Sequence, residues 1–173
     1  LRANYIYYKR ENMKDTEIAR GLYKKAIELD NNLILAKVKL GGTYIETEDY
    51  DEAMEIYTHA LKQAEELDNK WLVAQSVMSI ALIYKANGNL KKALNYYGQS
   101  MNIREEIGDK YGINEILNRF GVACWNKGEY DKALYYYKNS IKMNEELNYK
   151  YGLGISLMNA GIIYKEKSNF NYN

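Results

Sequence analysis

The chain has 173 residues, 47% of them hydrophobic and 27% charged, enough for one domain with a substantial interior. Its 24 basic and 23 acidic side chains leave a net charge of +1, which argues against a nucleic-acid binder, because such proteins carry a basic stripe that displaces counterions from phosphates, and against a polybasic membrane anchor. A single cysteine excludes an intrachain disulfide, and no apolar run approaches the roughly 18 residues that suggest a membrane span.

Apolar residues recur at spacings of three and four, with no proline to interrupt them. Helices are expected near residues 3–11, 15–29, 33–46, 50–67, 70–86, 90–107, 110–126, 130–147 and 150–166. Gly88 and Gly128 sit at turns, where a positive φ costs glycine little. Thr47-Glu48-Asp49 and Lys167-Ser168-Asn169 are expected to turn without glycine. Nineteen tyrosines against two phenylalanines suit thin helical layers, because Tyr fills a seam while its hydroxyl reaches water or a partner.

The elements repeat. Leu40-Gly41-x-x-Tyr44 returns forty residues on as Ile80-Ala81-x-x-Tyr84, then as Phe120-Gly121-x-x-Cys124 and Ala160-Gly161-x-x-Tyr164. Ala53-x-x-x-Tyr57-x-x-Ala60 returns as Ala93-x-x-x-Tyr97-x-x-Ser100 and Ala133-x-x-x-Tyr137-x-x-Ser140, with an upstream copy from Ala19. The joints repeat too: Glu65-Glu66-Leu67-Asp68-Asn69-Lys70 matches the runs beginning at Glu105 and Glu145. Small residues at 41, 81, 121 and 161 stand where two helices approach closely, and Ala53, Ala93 and Ala133 face them.

This pattern resembles the tetratricopeptide repeat, whose signature runs W-x2-L-G-x2-Y, then A-x3-F, then a further small residue. The 40-residue period resembles the longer-helix variant of that family. The opening Trp and the family proline are absent, and Cys124 stands in a Tyr slot. The resemblance implies an all-α fold: a right-handed superhelix of antiparallel helix pairs, with first helices lining a concave face. The whole chain, 1–173, is expected to be a single array of about four and a half repeats: 1–32, 33–69, 70–109, 110–149 and a truncated 150–173. Phe170 stands where Tyr50, Leu90 and Tyr130 open second helices, so the last repeat is expected to lack its second helix and the chain to be a fragment of a longer protein. Leu1 in place of an initiator Met leads to the same expectation. With no signal peptide in the opening residues, the expected location is cytoplasmic.

Catalytic chemistry is hard to assemble from these residues. His59 is the one histidine and is expected on an exposed helix face. No second His or Cys lies at metal-ligand spacing, so no metal site is expected. Cys124 reads as a buried structural thiol. The pairs Glu105-Glu106 and Glu145-Glu146 read as solvated helix ends, since adjacent carboxylates on a helix diverge. Gly152-x-Gly154 follows no strand and fails as a phosphate loop. No enzyme activity and no cofactor are expected.

By position within the repeat, the resemblance places a partner-binding groove on Val38 and Ile45, on Met78, Leu82 and Lys85, on Asn118, Arg119, Val122, Trp125 and Asn126, and on Met158, Asn159 and Ile162. Met adapts to varied partners, Trp125 is a natural anchor, and Asn118 and Asn159 suit a peptide backbone. The partner is expected to be a protein or peptide, with no nucleic acid and no membrane. The alternative for the apolar members is plain packing of first helix on first helix, above all for Met78 and Ile162. Two other functions stay open: a regulatory or sensory segment of a larger signalling or transcription-regulating protein, and self-assembly into a homo-oligomer through the unfinished last repeat.

Overall fold

The structure is a computed structural model that describes residues 13–170; the helix expected at 3–11 lies outside them. The described residues form eight α-helices and no strand: α1 Met13–Leu29, α2 Ile34–Glu46, α3 Tyr50–Glu66, α4 Lys70–Ala86, α5 Leu90–Glu106, α6 Lys110–Asn126, α7 Tyr130–Glu146 and α8 Lys150–Phe170. This is an all-α repeat fold.

A left-handed residue ends each helix from α2 to α7. The positive φ angles fall at Glu48, Asp68, Gly88, Gly108, Gly128 and Asn148, one every twenty positions. At five of these joints the next amide bonds back to a carbonyl five residues earlier, as in Asp49 N to Tyr44 O and Glu129 N to Cys124 O, both 2.9 Å. This closure satisfies carbonyls that the helix end would otherwise orphan. At three joints the residue after the left-handed one also opens the next helix. Asn69 Oδ1 accepts from Leu72 N at 3.1 Å, Asn89 Oδ1 from Lys92 N at 3.2 Å, and Asp109 Oδ1 from Gly112 N at 2.9 Å, which are N-cap bonds.

The turn expected at Lys167-Ser168-Asn169 is not formed, and α8 runs through it to Phe170. Position 168 is where the rhythm calls for a left-handed residue. Serine lacks the freedom of glycine and the tolerance of Asn or Asp for that region, a cost that Glu48 bears where α3 packs back on α2. Ser168 stays helical, and its hydroxyl bonds back to Lys165 O at 2.7 Å.

Contacts divide the chain into two units, residues 1–103 and 104–173. In the first unit α2 packs on α1, α3 and α4, and α4 packs on α3. Ala19, Tyr23 and Leu40 form one apolar cluster, Ala53, Tyr57, Ile80 and Ile83 another, and Ile34, Ala60 and Ala64 a third. Burying each large side chain contributes about 1.5–3 kcal/mol. The ring of Tyr57 occupies the place that a Cβ on Gly41 would take, so glycine there lets α3 close onto α2. Arg20 lies over the Tyr44 ring at 4.0 Å and donates to Thr43 O at 2.8 Å and Thr47 Oγ1 at 2.7 Å. Lys37 is buried yet satisfied: its ammonium donates to Asn31 Oδ1 at 2.8 Å and to Gln63 Oε1, with His59 Nδ1 at 3.5 Å. Burial holds the Lys37 pKa below the usual lysine value, against the opposing pull of Asp30.

In the second unit α7 packs on both α6 and α8. Its core is Cys124, Ala133, Leu134, Tyr137, Ala160 and Ile163. The close approach recurs here, with the Tyr137 ring filling the place of a Cβ on Gly121.

Candidate functional site

The positions assigned to the groove meet different fates in the first unit. Val38 and Met78 are buried, 8% and 3% exposed, so their side chains are committed to the interior. Ile45 is half-buried and packs against the cluster around Tyr57 and Ile80. Leu82 is half-buried, and Lys85, in the last turn of α4, is exposed.

In the second unit the same register carries more polar chemistry. Arg119 is half-exposed and bonds Glu115 on its own helix at 3.0 Å. Val122 and Trp125 are half-buried against the core, and Asn126 is exposed. On α8, Met158 is 60% exposed, while Asn159 and Ile162 are half-buried. Asn118 turns inward. Its amide donates to Ser140 Oγ at 2.6 Å and to Asn114 O at 3.1 Å, and its Oδ1 accepts from Ser156 Oγ at 3.3 Å.

Asn118 thereby joins a buried polar layer that sequence reasoning missed. Asn114 Nδ2 donates to Asn144 Oδ1 at 2.8 Å, Asn144 Nδ2 donates to Ser140 O at 2.9 Å, and the hydroxyls of Ser140 and Ser156 lie 2.7 Å apart. Ser140, Asn144 and Ser156 are wholly buried. A signal for it stands in the sequence. Eighty residues earlier the same positions hold Ile34, Val38, Ala60 and Ala64, all buried, and Ile34, Ala60 and Ala64 form an apolar cluster with Leu72 in the first unit. Four polar residues replacing four apolar ones mark an interior held by hydrogen bonds.

Two further residues escaped the sequence reading, Glu166 and Tyr130. Trp125 Nε1 donates to Glu166 Oε2 at 2.7 Å, and the Tyr130 phenol also bonds Glu166. Burial, reinforced by Glu166, raises the Tyr130 pKa above the usual phenol value. Beside them Lys167 pairs with Asp131.

Cys124 is buried, and burial followed by the nearby Glu129 carboxylate pushes its thiol pKa up. A thiol held protonated is a poor nucleophile. His59 is exposed. Among the described residues no cluster of three or more His, Cys, Asp or Glu side chains is arranged to hold a metal ion, and no helix is long and apolar enough to cross a membrane.

With this geometry in place, comparison with known proteins is informative. A family model described as tetratricopeptide repeat matches residues 32–106, and a second with the same description matches residues 115–147. A sequence search of curated proteins found no match. Among solved structures, BtubC from P. vanneervenii superposes with a TM-score of 0.71 at 21% identity, over 91% of this chain and 68% of that one. A signal transduction ATPase with numerous domains from Pyrococcus horikoshii, which has a tetratricopeptide repeat sensor, gives 0.73 at 20% identity, over 98% of this chain and 29% of that one. A Rap protein complexed with Competence and Sporulation Factor gives 0.69 at 17% identity, over 95% and 50% respectively. At these identities the likeness is one of fold. The chain spans half of the Rap protein's length and under a third of the ATPase's.

Proposed function

The chain belongs to the tetratricopeptide repeat family, and on that footing we propose that it is a protein-interaction module holding a peptide or helix of a partner protein on the faces of its first helices. The observation that carries this reading is the division among the groove positions. Val38 and Met78 are spent on packing, whereas Lys85, Asn126 and Met158 stand exposed and Arg119 half-exposed. Exposed side chains on the first helices of successive repeats can meet a ligand, and helical repeats present such surfaces along one face. The module acts by binding and not by catalysis. Capture from a lysate tests the reading, comparing the native chain with the double variant Arg119→Glu, Met158→Glu. Both positions are solvent-reachable, so the fold is expected to survive, as circular dichroism would check. A partner captured by the native chain and lost by the variant supports the groove; identical partner lists refute it.

A regulatory reading has its own support. Two of the matched structures are a protein with a tetratricopeptide repeat sensor and a Rap protein in complex with Competence and Sporulation Factor. On that reading the same face takes a signalling peptide, and its occupancy sets the state of a larger protein. Self-association is a third reading, supported by the exposed Leu157, Met158 and Tyr164 of α8. Sedimentation velocity over a range of concentrations separates it from the other two.

A further inference from the structure

Two neutral donors at the joint between α6 and α7 converge on one carboxylate of α8. Trp125, in the last turn of α6, gives its indole N–H to Glu166 at 2.7 Å, and Tyr130, the first residue of α7, bonds the same carboxylate. The donors are fixed in place. Both rings pack on the core of the second unit, and the joint between them is closed by the Glu129 N to Cys124 O bond and by Gly128 at positive φ. The acceptor is the side chain that can turn away, because Glu166 is half-buried, lies in the last turns of α8 and has several staggered rotamers. Repeat packing does not require this contact. In the first unit the positions of Trp125, Tyr130 and Glu166 are filled by Ile45, Tyr50 and Ala86, which contain neither an indole donor nor a carboxylate.

We propose that Trp125 and Tyr130 form a carboxylate-binding site, closed by Glu166, which an acidic side chain of a partner peptide opens and occupies. The exchange replaces one carboxylate by another on the same two donors, so the hydrogen bonds to a charged acceptor that are lost are regained. Glu129 and Asp131, on either side of Tyr130, are paired with Lys132 and Lys167, so exposed Lys127 and Lys165, which flank the site in sequence, favour an incoming anion over a neutral group. The half-buried indole supplies apolar surface beside the carboxylate, as a peptide anchor requires. The proposal rests on the reading that a partner peptide lies along this face, and it adds that the peptide is acidic where it meets Trp125.

The chain has two tryptophans, so Trp71→Phe, at an exposed position, leaves the Trp125 indole N–H as a single signal in the nitrogen–proton NMR spectrum. The probe is acetyl-Ala-Glu-Ala-amide, with acetyl-Ala-Gln-Ala-amide as the neutral control. In the Glu166→Ala variant the indole signal is expected to move upfield, and the acidic tripeptide to bring it back saturably. Its affinity there is expected to exceed that for the parent by about five-fold or more, the equivalent of about 1 kcal/mol of closure. Glu166→Gln, which retains an acceptor of the same reach, is expected to stay largely closed. An indole signal in Glu166→Ala that ignores the acidic probe, or that responds equally to the neutral one, overturns the proposal. So does a Glu166→Ala variant that loses its fold while Glu166→Gln keeps it, because the contact is then structural. Partner lists left identical by Arg119→Glu, Met158→Glu, with the indole response intact, overturn the groove reading alone.

Discussion

The side-chain amide of Asn114 donates to Oδ1 of Asn144 across 2.8 Å, with both residues shut away from water. Asn144 in turn donates to Ser140 O at 2.9 Å and to Ser156 Oγ at 3.2 Å. Asn144→Ala strands the Asn114 amide and removes these bonds, so it is expected to cost about 2–4 kcal/mol of stability. The whole layer is expected to be exchangeable, because removing all partners together leaves nothing unsatisfied. The combined replacement Asn114→Ile, Asn118→Val, Ser140→Ala, Asn144→Ala gives these positions the Ile34, Val38, Ala60 and Ala64 of the first unit, all buried there. It should cost less than Asn144→Ala alone in urea denaturation. A four-fold variant less stable than the single one would show that the polar layer is the better packing here.

Gly121 and Gly161 occupy the same place in their repeats and face opposite surroundings. A Cβ on Gly121 would meet the Tyr137 ring, whereas one on Gly161 would meet nothing within 4 Å. Gly121→Ala therefore forces α6 and α7 apart or displaces a buried tyrosine, at about 1–3 kcal/mol. Gly161→Ala gains helix propensity with no clash, and is expected to stabilise by up to about 1 kcal/mol. Thermal melts of the two single variants check the contrast, and a loss of stability in Gly161→Ala would contradict it.

Why Gly121 was legible and Asn118 was not has a physical reason. The repeat period, the small residues at 41, 81, 121 and 161 and the tyrosines at 57, 97 and 137 encode contacts between helices three residues apart in the chain. Local spacing is enough to read those. Glycine turns were legible at Gly88 and Gly128, but the left-handed residues Asp68 and Asn148 show themselves only in their backbone angles. The groove positions follow from helical register, which fixes the side of a helix that a residue occupies and not what meets it there. Asn118 is drawn inward by Ser140 and Ser156 from two later helices, and Trp125 is met by Glu166, forty-one positions on. Such partners are set by tertiary packing. The one legible hint was the substitution of polar for apolar residues at a fixed offset.

Glu48 has a left-handed backbone, φ +61, on an exposed side chain. That region costs a non-glycine residue about 1–2 kcal/mol, and no buried contact is lost with an exposed glutamate. Glu48→Gly is expected to raise stability by about 1 kcal/mol. The reverse test is Gly128→Ala, where φ is +73 and no atom lies within 4 Å of the added Cβ. Its expected cost of about 1–2 kcal/mol is pure backbone strain. Urea midpoints for the pair should move in opposite directions. A shift of the same sign in both would mean that the joint residues are not strained as their angles imply.

Tyr137 is wholly buried, and its hydroxyl has no hydrogen-bond partner. Burial, then the neighbouring Cys124, pushes its phenol pKa up to about 12. An unfolded tyrosine titrates near ~10. Between these values the folded chain keeps a proton that the unfolded chain has lost, so rising pH favours unfolding. The stability from this group is full below pH ~10 and falls by about 1.4 kcal/mol per pH unit up to pH ~12, on the order of 2–3 kcal/mol in all. Tyr137→Phe removes both the titration and the unsatisfied hydroxyl. At neutral pH it is expected to be as stable as the native chain or more so, by up to about 1 kcal/mol. Burial raises Tyr136 as well, and that residue is common to both proteins, so the difference between their urea midpoints isolates Tyr137. The gap between the two should widen in favour of the phenylalanine variant from pH ~10 to ~12. Parallel curves across that window would mean that the buried phenol reaches a hydrogen-bond partner in solution.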